Sequence, residues 1–404
     1  MFKKIAMILT GTVLILAGCT PSINNDDEVV QNEDNNEQQQ NSIVSSHQLS
    51  DEDYRTILPY RPSASRGVIT NQMGNRVDID EMETGLRRLS KDYFDPEKYF
   101  FEEGQYLTSD MLYNWLDTYP TDEQLKNLEE RVQNEDDQFS EADLNGRKQA
   151  LNPPLNEENA TKEDYENNPK YLTHILEQNF LKKNDDNTVQ LVGASLGIAL
   201  KSVYSYEVDG NTYHKEIPKA EMMEKGKEIA QTVLERVRNI DEMSNIPIMI
   251  ALYKEEAQSS PVPGNFVAKT SVDADQASIG EWETVNEENV LFPSEEGEEK
   301  YADTQKLVQN FGTRIEEYFP DYVGVIGEGF YIDEELQQLT LEIPLEFNGK
   351  GEVIGFTQYT YGLVEEMFQD YYDLEVKIKS NQKMESLIYR NAGDDEATVH
   401  VYDS

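Results

Sequence analysis

Residues Ile5–Gly18 form an uncharged run of 14 residues that stops at Cys19, the only cysteine in a chain of 404. The run is too short to cross a bilayer as a helix, which needs about 20 apolar residues. Preceded by Lys3 and Lys4, it has the plan of an export leader: a positive start, an apolar middle and a small-residue end. The first 18 residues are therefore set aside from the fold. A lone cysteine also forbids an internal disulfide, and a free thiol on an exported protein is reactive enough to need a role.

Position and neighbours supply that role. Leu16-Ala17-Gly18-Cys19 resembles a bacterial lipobox. By that resemblance prolipoprotein diacylglyceryl transferase adds a diacylglyceryl group to the Cys19 thiol. Signal peptidase II, recognising Leu16, Ala17 and Gly18, then cuts before Cys19. The competing account is an ordinary signal peptide with a coincidental cysteine. Two acyl chains hold a protein on a membrane where one holds it only marginally. The expected location is the extracellular face of the cell membrane, by lipid anchor.

The anchor has to work against charge. With 35 Lys+Arg and 79 Asp+Glu the chain carries −44, and cutting away Lys3 and Lys4 leaves 33 against 79, or −46. Such a surface repels nucleic-acid phosphates and anionic headgroups, which makes both poor direct partners. Residues 20–53 contain no Lys, Arg or aromatic residue. Their Asn, Gln, Asp and Glu cannot bury enough apolar surface to offset chain entropy, so they read as a disordered acidic tether.

The sequence divides into signal peptide (1–18), lipidated Cys19 and tether (19–53), a mixed N-terminal segment (54–160) and two α/β repeats (161–290 and 291–404). In the mixed segment, Asp122 and Glu123 open a helix. The polar stretch 133–164 reads as an exposed boundary.

Beyond it one plan runs twice, and the fold class expected is α+β (mixed α/β) with two related α-β-α-β repeats packed together. "YLTHILEQNF" places Leu172, Ile175, Leu176 and Phe180 on one helical face, "TVQLVGASLGIAL" is a strand, and Pro218 starts a helix through Ile229, Val233, Val237 and Ile240. "IPIMIALY" closes the unit. The second copy offers helix positions Leu307, Phe311, Ile315 and Phe319, then strict alternation at Leu339, Leu341, Ile343, Leu345 and Phe347. A helix through Tyr359, Leu363, Met367 and Tyr371 leads to the strands "DLEVKIKS" and "TVHVY".

Catalytic motifs are few. Gly193-Ala194-Ser195-Leu196-Gly197 matches G-x-S-x-G, but a nucleophile elbow needs a helix directly after the serine, and "IALKSVYSYEV" follows instead. The motif reads as small residues that let a neighbour pack closely, and no enzyme is expected. His47, His174, His214 and His400 show no metal-ligand spacing. Asp273 and Asp275 open a loop with Ser278 where a calcium loop needs Gly, and Thr284 where it needs Glu. No metal or cofactor is expected. The 23 tyrosines cluster in "QYTYG" and "FQDYYD", mostly at helical spacing that makes them core, with a peptide- or glycan-binding groove as the alternative.

Several blocks together resemble the CamS sex pheromone lipoprotein family of low-GC Gram-positive bacteria: "YRTILPYRPSASRG", "GLRRLSKDYFDPEKYFFEEGQYL", "LNPP", "YLTHILEQNF", "LGIALKSVYSY", "PGNF", "GFTQY" and "VHVY". The resemblance implies that the severed leader is trimmed to Thr12-Val13-Leu14-Ile15-Leu16-Ala17-Gly18 and released as a hydrophobic conjugation pheromone for a receptor on plasmid-bearing cells. Thr12 and Gly18 depart from the Ala- or Ser-like ends usual in the family. For the folded part it implies two repeats and no catalytic residue, leaving a binding or scaffolding role. The alternatives are a cell-envelope hydrolase using Ser195 and a solute-binding lipoprotein serving a transporter.

Overall fold

A computed structural model describes residues 28–31, 40–44, 53–134, 138–185, 187–319, 322–346, 349–380 and 383–402. The expected signal peptide, the expected pheromone segment Thr12–Gly18, the expected recognition residues Leu16, Ala17 and Gly18, the expected anchor Cys19, and His47 lie outside them.

In chain order, strands β1 (Glu28–Gln31), β2 (Gln40–Val44) and β3 (Arg55–Leu58) precede helices α1 (Val68–Gln72) and α2 (Arg76–Ser90). Strand β4 (Phe100–Glu103) leads into four short helices, α3 (Ser109–Leu116), α4 (Asp122–Gln133), α5 (Glu141–Arg147) and α6 (Lys162–Asn167). Next come β5 (Leu172–Lys183), β6 (Val189–Lys201), the hairpin β7 (Val203–Val208) and β8 (Asn211–Glu216), helix α7 (Lys219–Val237), β9 (Ile248–Glu255), β10 (Asn265–Val272) and β11 (Glu283–Thr284). The second half runs β12 (Glu287–Phe292), α8 (Glu295–Lys300), α9 (Ala302–Glu316), β13 (Ile326–Ile332), β14 (Glu335–Pro344), α10 (Lys350–Met367), β15 (Asp373–Ser380), β16 (Lys383–Arg390) and β17 (Thr398–Val401).

Two larger sheets follow one another, and their topologies match. The first orders its strands β1-β2-β3-β4-β5-β6-β9-β10-β11 and the second β12-β13-β14-β15-β16-β17. From β4 to β11 the pairings run antiparallel, antiparallel, parallel, antiparallel, antiparallel. From β12 to β17 they repeat that series. In each copy a single helix, α7 or α10, makes the crossover to the parallel neighbour, as a parallel pair requires.

The mixed α+β architecture with two related units is therefore present, but the unit opens with a strand before its first helices. Strand β12 runs across the 290/291 division drawn from the sequence.

Four sequence expectations need correction. "YLTHILEQNF" is strand β5. Ile175 faces the core beneath α7 while Leu176 and Phe180 face α2, and burial on both faces erases the alternation that distinguishes a strand from a buried helix. Within the expected tether, β1 and β2 pair as a hairpin and β2 joins β3. The β-branched pairs Val29-Val30 and Ile43-Val44 suit that conformation, and Val44 is buried beside Ile57, Phe100 and Leu181. The boundary stretch 133–164 includes α5, with Leu144, Asn152 and Leu155 buried. Finally, α10 buries Val353, Phe356, Thr357, Thr360, Leu363 and Val364, and ends at Met367, short of the exposed Tyr371.

Elsewhere pattern and structure agree. β14 and β15 alternate apolar residues toward α9 and α10 with polar ones on the opposite face. The first sheet is covered on both sides, by α7 on one face and α2 on the other. The outer side of α2 turns Arg88 to the second sheet, where its guanidinium meets Glu287 at 3.0 Å and lies over the Phe330 ring at 4.4 Å.

Candidate functional site

The G-x-S-x-G serine is a packing residue. Ser195 is fully buried in the middle of β6, which continues as strand to Lys201, so the strand–helix turn of an elbow is missing there. Ser90 Oγ donates to Leu86 O (2.6 Å), which leaves Ser195 Oγ to donate to Ser90 Oγ (2.8 Å). A Cβ on Gly193 would fall 2.1 Å from Phe94 Cε1, and one on Gly197 would lie 3.1 Å from Met82 Cε. The three small residues share the face on which α2 and Phe94 sit.

The other candidates are dispersed. His214 shares a 2.8 Å hydrogen bond with Ser205 Oγ in the β7–β8 hairpin, and His400 packs edge-on to Tyr402. Asp275 lies on an exposed loop, and Asp273 accepts from Gln276 Nε2 at 3.4 Å. Among the described residues no three His, Cys, Asp or Glu side chains gather to hold a metal. Of the clustered tyrosines, Tyr372 is buried, and Tyr359 packs on the second core with its hydroxyl donating to Arg314 O at 3.0 Å. Tyr371 lines an open groove of about 800 Å³ with Tyr301 and Tyr331.

A more enclosed cavity, about 390 Å³, is assembled from three segments far apart in sequence. One wall is the loop Tyr60–Gly67, a second is α2 through Ile79, Glu83 and Arg87, and the floor is β4 and β5. The loop is tied down by Glu103, whose carboxylate accepts from Tyr60 Oη and from Ser63 N. The floor is stiffened by Glu177, which accepts from the backbone N–H groups of Gln105 (2.9 Å), Tyr106 (3.1 Å) and Leu107 (2.6 Å). Burial raises the Glu177 pKa and those bonds oppose the rise.

Period-two alternation along β5 turns His174, Leu176 and Gln178 to the cavity. His174 Nδ1 and Gln178 Oε1 are buried without a partner among the described residues. Burial drives the His174 pKa down to about 3, so its imidazole is neutral at physiological pH. Glu83 is shifted up by burial, reinforced by Glu103 and Asp80. Arg87 lays its guanidinium over the Phe101 ring at 4.8 Å, and its buried Nε has no partner among the described residues. Buried polar groups normally carry hydrogen bonds, so orphans converging on one cavity mark a place for a polar ligand. Among the described residues no hydroxyl bonds to His174.

Sequence reasoning missed this site although its pieces were visible. The blocks "YRTILPYRPSASRG", "GLRRLSKDYFDPEKYFFEEGQYL" and "YLTHILEQNF" each supply lining residues. No local signal told that they meet, least of all while β5 read as a helix.

Fold and site together define a duplicated α+β protein with a polar-lined cavity between its first sheet and α2. The chain belongs to the family described as the CamS sex pheromone cAM373 precursor, whose profile matches residues 60–396. It is similar to the crystal structure of a sex pheromone precursor from Lactobacillus salivarius subsp. salivarius UCC118, at 27% identity and TM-score 0.77, covering 90% of this chain and 99% of that one. It is also similar to the C-terminal domain of the sex pheromone staph-cAM373 precursor from Staphylococcus aureus, at 29% identity and TM-score 0.68, covering 83% and 100%. No curated protein matches the chain.

Proposed function

We propose that this pheromone precursor is a lipoprotein: Cys19 receives a diacylglyceryl group and the leader is cut before it. The leader is trimmed to Thr12–Gly18 and released as an apolar peptide that induces conjugative plasmid transfer, while the folded body stays on the outer face of the membrane as a binding protein. The observation that carries this is Leu16-Ala17-Gly18-Cys19, placed directly at the end of the apolar run in a chain of this family. Seven uncharged residues suit an apolar receptor pocket. Among the described residues no helix is long and apolar enough to cross a membrane. From Cys19 to the start of β1 at Glu28 is nine residues, at most about 30 Å of chain, so the anchored body stands close to the bilayer.

Mass spectrometry of membrane fraction and medium tests the proposal. The expected findings are an acylated Cys19 peptide in the membranes, the heptapeptide outside, and loss of both lipid labelling and cleavage in Cys19→Ala. Labelled and cut Cys19→Ala protein at wild-type level would overturn it.

A further inference from the structure

The cavity beside α2 departs from the character of the rest of the molecule. In a chain with 79 acidic and 35 basic residues, an arginine facing a cavity would be expected to find a carboxylate. Arg66 and Arg87 both line this one, and neither makes an ion pair among the described residues. Arg87 is one helical turn from Glu83 on the same face of α2, the spacing at which opposite charges commonly pair. The pair stays open here, with Arg87 stacked on Phe101.

The opposite sign is also available. Glu83 faces the cavity, and β5 adds the unpartnered Gln178 Oε1, an acceptor in search of a donor. Ile69, Ile79 and Leu176 add apolar lining to the same cavity. A simple anion would leave Glu83 and Gln178 unmatched, and a simple cation would leave both arginines unmatched. A ligand of both signs matches both sets.

We propose that this cavity binds a small zwitterion, an aliphatic amino acid or dipeptide. Its carboxylate sits on Arg66 and Arg87, its ammonium against Glu83 and Gln178 Oε1, and its side chain over Ile79 and Leu176. The volume of about 390 Å³ is in the range of small-molecule sites. The proposal rests on reading the folded body as a binding protein, and is independent of lipidation and of the leader peptide.

Calorimetric titration of the detergent-solubilised full chain tests it, with L-leucine and L-alanyl-L-leucine as probes. N-acetyl-L-leucine keeps only the carboxylate, and L-leucinamide only the ammonium. At least one zwitterion should bind with Kd below about 1 mM, and both one-charge relatives at least about tenfold more weakly. Arg87→Gln and Glu83→Gln should each weaken the zwitterion about tenfold or more. Should Arg87→Gln fail to fold, Arg66→Gln, at an exposed position, removes a contact to the same carboxylate and should weaken binding several-fold.

No heat from either zwitterion at about 10 mM would overturn the proposal. So would equal affinity for the one-charge relatives, or an unchanged Kd in both Arg66→Gln and Glu83→Gln. The titration reads only the cavity: its failure leaves Cys19 labelling untouched, and absent labelling leaves the affinity untouched.

Discussion

Asp78 is fully buried near the start of α2, its Oδ1 accepting from Tyr253 Oη (2.7 Å), Gly264 N (2.7 Å) and Glu256 N (3.4 Å), while Oδ2 has no partner among the described residues. Burial lifts its pKa to about 6, against the pull of those donors. The native state therefore holds the proton more tightly than the unfolded chain. The stabilisation is complete below about pH 4 and is lost as the pH rises through about 6. Asp78→Asn keeps an acceptor for the three donors and removes the charge. Between pH 4 and 7 its stability should fall by up to about 3 kcal/mol less than that of the wild type, read as the difference in Tm; parallel profiles would contradict this. A second residue tests packing. Phe94 stacks on Phe180 at 4.3 Å, both rings buried, so the Cβ of Gly193→Ala has nowhere to displace it. The cost should be about 1–3 kcal/mol in urea unfolding. The small residues of G-x-S-x-G were legible as packing residues from the β-rich segment after them; which neighbour they admit was not.

Among elements, α4, α5 and α6 each begin with a reciprocal capping box, Thr121 with Gln124, Ser140 with Asp143 and Thr161 with Asp164. The pattern satisfies two otherwise orphaned backbone donors at each start. Helix α4 buries no residue, so its own ends matter more than packing. Thr121→Ala should cost about 1 kcal/mol of local stability. Hydrogen exchange should quicken in the α4 amides while global Tm barely moves. A uniform effect across the molecule would mean that α4 is cooperative with the sheets. Of these, α4 is legible in its acidic opening, Asp122 and Glu123, whereas α5 lies in a polar stretch that reads as an exposed boundary. Strand β5 was not legible, because an apolar set at 172, 175, 176 and 180 satisfies a helix face and a two-sided strand equally. Only pairing with β4 and β6 decides between them.

For the whole molecule, the junction between the two sheets centres on Arg88, held by Glu81 at 2.7 Å and by Glu287 at 3.0 Å. The Glu287 side chain is only 1% exposed, and burial raises its pKa while Arg88 opposes the rise. Arg88→Ala strands that carboxylate and should cost about 3 kcal/mol or more. Adding Glu287→Gln should recover most of the loss. The double variant matching the single one in denaturant unfolding would show that Arg88 acts through its stacking on Phe330 and not through charge. The second reading drawn from sequence, two like units, needed this scale to become concrete, since the copies match in strand order and sense rather than in residues.

The amino-acid sequence alone determined the apolar run that stops at Cys19, the net acidity of the chain, the alternating strands of the second sheet and the helices whose apolar stripes lie close together. Those features arise from interactions spanning about ten residues, so a local pattern suffices to encode them. The tertiary structure decided that β5 is a strand, that β1 and β2 extend the first sheet, and that Tyr60–Gly67, Glu83–Arg87 and His174–Gln178 enclose one cavity. Each of these depends on which faces become buried together, and that is settled by contacts between segments tens of residues apart.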